Sequence, residues 1–110
     1  PYTTLFRSYR DKLPKFNNGG RMVFNCFDYP RDIDTPRIHP TQKSVPLLER
    51  LIELFTDAGD VVIDPCAGSG TTLLAAAQCG RKAYGFEIKK KFYADANKII
   101  LSRMQPRMFV

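Results

Sequence analysis

The 110-residue sequence has no tryptophan, one histidine and three cysteines. No two of its prolines are adjacent. A lone histidine, His39, leaves little material for a metal centre. Cys26, Cys66 and Cys79 form no C-x-x-C pair, and an odd count suits no closed disulfide framework, so a reducing compartment fits best. No apolar run approaches the ~20 residues of a membrane span, and no signal-peptide pattern opens the chain. These shortages lead to the expectation of a soluble, cytoplasmic protein with no membrane partner. The length holds one small domain and falls short of most α/β enzymes, so a fragment of a larger domain is considered from the start.

With 44% hydrophobic and 25% charged residues, the composition is that of a globular chain. The net charge of +6 is unevenly placed. Basic and acidic residues cancel over 1–79, whereas 80–110 carry eight basic residues against Glu87 and Asp95. Such an excess attracts polyanions such as nucleic acid through counterion release. A solvated helix face accounts for it equally well, so charge alone names no partner.

Residues 1–8 resemble the in-frame translation of a common sequencing-adapter oligonucleotide and are set apart as a scar, leaving 9–110 as the incomplete protein part. Lys12 to Gly20 reads as a loop with a turn. Arg21 to Phe27 is a short apolar run, expected as a strand, and the proline-containing stretch from Asp28 to Pro40 as an extended connection. Ser44 is positioned to cap a helix with Pro46 in its first turn. Leu48, Leu51, Ile52 and Phe55 make one apolar face of that helix, which stops near Gly59. Asp60 to Asp64 is a continuous apolar strand with polar ends, suited to burial on both faces. After a glycine turn, Thr71 to Cys79 forms a short helix ended by Gly80. Lys82 to Ile88 is a further strand. Phe92, Ala96, Ile99, Ile100 and Met104 mark a last helical face. Strands alternating with helices imply parallel pairing, here part of a Rossmann-like doubly wound α/β sheet.

The most informative segment runs from Val61 to Thr71. A strand delivers Asp64 to the carboxyl edge of the sheet, and Gly68 and Gly70 let the backbone bend and approach a ligand. The next helix points free N–H groups at that ligand, where a carboxylate gains roughly 0.3–1 kcal/mol. Glu87 ends the following strand, where α/β nucleotide sites put a carboxylate for ribose hydroxyls. The turn lacks the G-K-[ST] of a phosphate loop, and Leu73 stands where a dinucleotide fingerprint needs its third glycine. An acid leading into the turn would repel a pyrophosphate. A cofactor with an ammonium, a sulfonium and a ribose suits Asp64 and Glu87 better, and S-adenosylmethionine has all three.

The run Asp64-Pro65-Cys66-Ala67-Gly68-Ser69-Gly70-Thr71 resembles the cofactor motif of DNA amino-methyltransferases, the N6-adenine and N4-cytosine enzymes. His39-Pro40-Thr41-Gln42-Lys43-Ser44 resembles the H-P-T-Q-K-P motif that precedes it in the permuted β class, and Gly85-Phe86-Glu87-Ile88 resembles the ribose-binding strand end. The resemblance spans about residues 21–105. It implies that Asp64, Ala67, Gly68, Ser69 and Gly70 lie against the methionine part of S-adenosylmethionine. It implies too that His39, Thr41, Gln42 and Lys43 close over the methionine end, that Glu87 holds the ribose, and that Phe86 or Ile88 flanks the adenine.

Cys66 stands where the family often has phenylalanine, and Ser44 where it has proline. The family's catalytic tetrapeptide, Asp/Asn/Ser-Pro-Pro-Tyr/Phe/Trp, is missing, so no catalytic residue is assigned here. In the β class it precedes the H-P-T-Q-K segment, which places it upstream of residue 9. Cys66 follows a proline, as does the nucleophile of carbon-5 cytosine methyltransferases, but it lies in the cofactor loop and is read as a loop cysteine. The resemblance implies a bacterial or phage parent that methylates double-stranded DNA, as in restriction–modification, with adenine N6 preferred to cytosine N4. It also implies that this part alone is inactive. The rival readings are a methyltransferase for RNA, protein or a small molecule, and a non-catalytic cofactor- or DNA-binding remnant.

Overall fold

A computed structural model describes residues 11, 16–24, 26 and 28–104. The octapeptide 1–8, residues 12–15 of the first loop, and Asn25 and Phe27 lie outside the described residues.

Helix α1 spans Val45–Phe55, strand β1 Val61–Asp64, helix α2 Thr71–Gln78, strand β2 Lys82–Gly85 and helix α3 Lys90–Asp95. The last helix continues as a π-turn over Ala96–Ile100 and a 3₁₀ turn over Leu101–Arg103. The strands pair in parallel with Val61 opposite Lys82 and Asp64 opposite Gly85. Both therefore end at the same edge, the one from which the glycine turn and Glu87 emerge.

Helix α1 begins with Pro46 in its first turn, but Ser44 does not cap it with its side chain. The cap comes from Asp32, whose Oδ2 accepts the Val45 N–H at 2.9 Å. The Ser44 hydroxyl is buried and makes no hydrogen bond. A remote carboxylate replaces the local hydroxyl because the loop before the helix folds Asp32 back over its first turn. The far end of α1 is closed by Asn17, whose amide donates to Thr56 O at 2.7 Å and Asp57 Oδ1 at 2.9 Å. Arg81 donates to the Thr56 hydroxyl at 2.9 Å and carbonyl at 2.7 Å, tying the start of β2 to the same point.

The buried core gathers Val45, Leu48 and Ile52 of α1, Leu74, Ala75 and Ala76 of α2, and Ile100, with Val62 and Ala83 packed against it. Apolar burial of this kind contributes about 25 cal/mol per Å². Leu54, outside the face expected for α1, is among the most deeply buried side chains.

Three expectations are corrected. Burial of β1 on both faces does not hold: Val61 and Ile63 are 53% and 63% exposed. The helices that supply core residues all share the core onto which Val62 and Ala83 pack, and the opposite sheet face stays open. The strand expected from Arg21 to Phe27 does not form over its described residues. That stretch makes no ladder; the Asn18 amide instead donates to Met22 O at 3.0 Å, and Met22 and Phe24 are exposed. β2 also ends at Gly85, three residues before the expected Ile88. Among the described residues no helix is long and apolar enough to cross a membrane.

Candidate cofactor site

The glycine turn is held from three directions. Ala67 N–H donates to Phe86 O at 2.9 Å and Phe86 N–H to Asp64 O at 3.0 Å, so the parallel ladder runs on into the turn. Asp64 Oδ1 accepts the Cys66 N–H at 3.0 Å, which bends the chain as it leaves β1. Glu87 Oε2 accepts the Gly68 N–H at 2.9 Å, and its Oε1 accepts the Lys89 N–H at 2.8 Å. The two acids expected on either side of the turn thus shape it directly.

Gly68 and Gly70 adopt φ of +55° and +81°, the left-handed region where a side chain is strained. Gly70 opens α2, and a Cβ there would lie 3.3 Å from that of Ala96. Gly85 needs its missing side chain for another reason: a Cβ would sit 3.0 Å from the Ala67 Cβ and 2.6 Å from Leu73 Cδ1. The turn is packed tightly onto the end of β2.

The distant H-P-T-Q-K loop meets this turn through His39. The imidazole Cδ2 and Nε2 are each 3.7 Å from where a Gly68 Cβ would project. Nδ1 faces the Thr41 N–H and hydroxyl, both at 3.2 Å. A backbone N–H only donates, so Nδ1 is the acceptor and Nε2 carries the ring hydrogen. His39 also packs on the Phe92 ring, with centroids 4.2 Å apart.

The other loop residues divide. Thr41 is exposed. Gln42 turns inward on its own loop, its Oε1 accepting the Ile38 N–H at 3.0 Å and its Nε2 donating to Pro36 O at 2.8 Å. Lys43 lines a cleft of about 160 Å³ with Asp32, Thr35 and Arg37. Ser69 is buried, its hydroxyl 3.3 Å from that of Thr71. Phe86 and Ile88 are exposed beside Glu87.

Asp32 organises the loop. Burial works to raise its carboxyl, but N–H donors from Val45, Thr35 and Asp34, with the Thr35 hydroxyl, outweigh it and hold the group below the usual carboxylate range. No local pattern marks this residue, because its helix lies 13 positions further on. Phe92 was readable only as a helical apolar position, yet it is absent from the core that Ile99, Ile100 and Met104 join and turns to His39 instead.

The sequence model of the DNA methylase family matches residues 5–98. The chain belongs to that family. It is similar to the DNA adenine methyltransferase YhdJ of Escherichia coli K12, 40% identical over 87 residues that cover 76% of the chain and 30% of that protein. It is similar to the crystal structure of the M1.HpyAVI–SAM complex, with a TM-score of 0.55 and 44% identity over 56% of the chain and 31% of that structure. The cytosine-N4-specific PvuII DNA methyltransferase aligns with a TM-score of 0.54 and 30% identity, over 67% of the chain and 25% of that structure. The chain spans less than a third of the length of the curated relatives it matches.

Proposed function

We propose that the chain is the cofactor-binding part of an S-adenosylmethionine-dependent DNA methyltransferase acting on an exocyclic amine, adenine N6 in preference to cytosine N4. The observation that carries this is the approach of His39 to Gly68, its imidazole 3.7 Å from where a Gly68 Cβ would project, which brings two motifs from distant parts of the sequence to one turn. The residues fit the cofactor's chemistry. A carboxylate has about four lone-pair sites. Glu87 commits two of these to Gly68 and Lys89, leaving acceptors for ribose hydroxyls. Asp64 keeps Oδ2 free of the Cys66 bond, an anionic oxygen for the cofactor's cationic end. The first N–H groups of α2 supply positive potential for the cofactor's carboxylate.

Bound there, S-adenosylmethionine would supply a methyl group made electrophilic by its sulfonium. The residues of this chain hold and orient; none is a base or nucleophile for the transfer. The target base has to leave the duplex to reach such a turn. The basic last third of the chain favours a polyanionic partner, double-stranded DNA. The adenine preference rests on the similarity to an adenine enzyme over 76% of the chain. Without the tetrapeptide that grips the base, the 110-residue chain alone transfers no methyl group to DNA.

Titrating S-adenosylmethionine into the full-length protein by calorimetry tests the site, and digesting treated DNA to nucleosides for mass spectrometry tests the product. Binding and N6-methyladenine are expected. N4-methylcytosine overturns the base assignment, and absence of cofactor binding overturns the whole reading.

A further inference from the structure

Phe92 heads the helix after Glu87, at the position of an apolar residue turned toward the core. It takes no part in the core cluster. Its ring packs on His39 at a tilt of 53°, with centroids 4.2 Å apart. Lys89 and Lys91 hold their ammonium groups 5.6 and 6.0 Å from the same ring centroid. The imidazole Cδ2 and Nε2 also stand 3.7 Å from where a Gly68 Cβ would project, a space the glycine leaves open. Its Nδ1 is taken by Thr41, and its Nε2 hydrogen has no acceptor among the described residues. The half-buried ring is therefore held by an aromatic face and by Thr41, with its Nε2 edge toward the space that Gly68 leaves open.

Resting on the cofactor reading above, we propose that Phe92 is a positioning residue of the site. It presses His39 onto the glycine turn, so that the H-P-T-Q-K loop and the segment after Glu87 close on the cofactor as one clamp. Glu87 anchors the turn from below through Gly68, and Phe92, five residues later on the same segment, anchors the loop from above through His39. The ring touches neither cofactor nor base; it sets where the imidazole stands. Phenylalanine or tyrosine serves this role, because each presents the same ring face, whereas leucine fills space without offering one.

The test uses the full-length protein with Phe92→Ala, Phe92→Leu and Phe92→Tyr, and S-adenosylmethionine itself as the probe. An aromatic pair of this geometry corresponds to about a three- to tenfold effect on binding. Phe92→Ala and Phe92→Leu are expected to weaken cofactor affinity by that factor and raise the cofactor KM with kcat little changed, while Phe92→Tyr restores both. The His39 ring protons should lose their upfield ring-current shift in the alanine and leucine variants and keep it in the tyrosine variant. Should Phe92→Ala fail to fold, the leucine and tyrosine pair decides the matter. Unaltered affinity in a folded leucine variant overturns the inference while leaving the cofactor site standing. Failure of the unsubstituted protein to bind overturns the cofactor reading and this inference together.

Discussion

The Glu87 carboxylate accepts the Gly68 N–H at 2.9 Å, joining the end of the second strand to the apex of the turn that leaves the first. The same carboxylate fixes Lys89 through its other oxygen at 2.8 Å. One side chain thus sets the distance between both walls of the site before any ligand arrives. Glu87→Ala should weaken S-adenosylmethionine binding by about 1–3 kcal/mol, the cost of leaving polar groups unpaired. Glu87→Gln, which keeps one acceptor oxygen, should fall between. Calorimetry on the full-length protein measures both, and undiminished affinity in Glu87→Ala would remove the residue from the site.

The three glycines at the site differ in what they tolerate. Gly85→Ala pushes a methyl to within 3.0 Å of the Ala67 Cβ, and although Leu73 can rotate away, Ala67 cannot without moving the turn. Overpacking of this kind costs about 1–3 kcal/mol. Gly70→Ala combines φ of +81° with a 3.3 Å approach to Ala96 and should cost a similar amount. Gly68→Ala meets only ordinary contacts at 3.7 Å and bears mainly the left-handed strain, about 1–2 kcal/mol. Its methyl, however, enters the space between His39 and the turn. Urea unfolding should therefore rank Gly68→Ala as the mildest of the three in stability, while cofactor titration finds its affinity clearly reduced.

Much of this arrangement can be read from the residues. The strand–turn–helix around Gly68 and the acid at Glu87 are local patterns, and local patterns survive because backbone geometry dictates them. Burial does not behave that way. Val61 and Ile63 have the composition of a doubly covered strand, but whether a face is covered depends on what packs there. Arg21 to Phe24 has strand composition but makes no ladder, and the Asn18 amide takes the Met22 carbonyl instead. Long-range polar contacts are the least legible. Asp32 and Asn17 cap opposite ends of α1 from positions outside the helix, and a serine at the expected cap position, Ser44, concealed the first of these.

Asp32 gives the fold a pH dependence. Its folded-state carboxyl titrates below the ordinary value, so the stabilisation is fully present above that value. It declines as pH falls toward the lowered folded value and is lost once the folded group is protonated too. Asp32→Ala should cost about 0.5–2 kcal/mol near neutrality, the usual worth of a helix cap. The gap between variant and unsubstituted protein should close on acidification below the ordinary carboxylate range. Urea midpoints measured from pH 7 to pH 3 follow it, and a gap that widens with acid contradicts the assigned sign.

The three thiols should separate by reactivity. Cys26 and Cys66 are exposed, whereas Cys79 is half-buried at the end of α2. Burial, with the negative charges of Glu53 and Glu49, pushes the Cys79 thiol up to about 11, against a smaller opposing effect from Arg81. The thiolate is the reactive form, so at pH 8 Cys79 holds almost none of it. Iodoacetamide treatment followed by peptide mass spectrometry should find Cys26 and Cys66 modified well before Cys79. Glu53→Gln removes one of the nearby negative charges and should speed Cys79 labelling without changing the other two. Equal labelling of all three in the folded protein would show that the C-terminal end of α2 opens to solvent, and with it the contact through which Arg81 joins that end to α1.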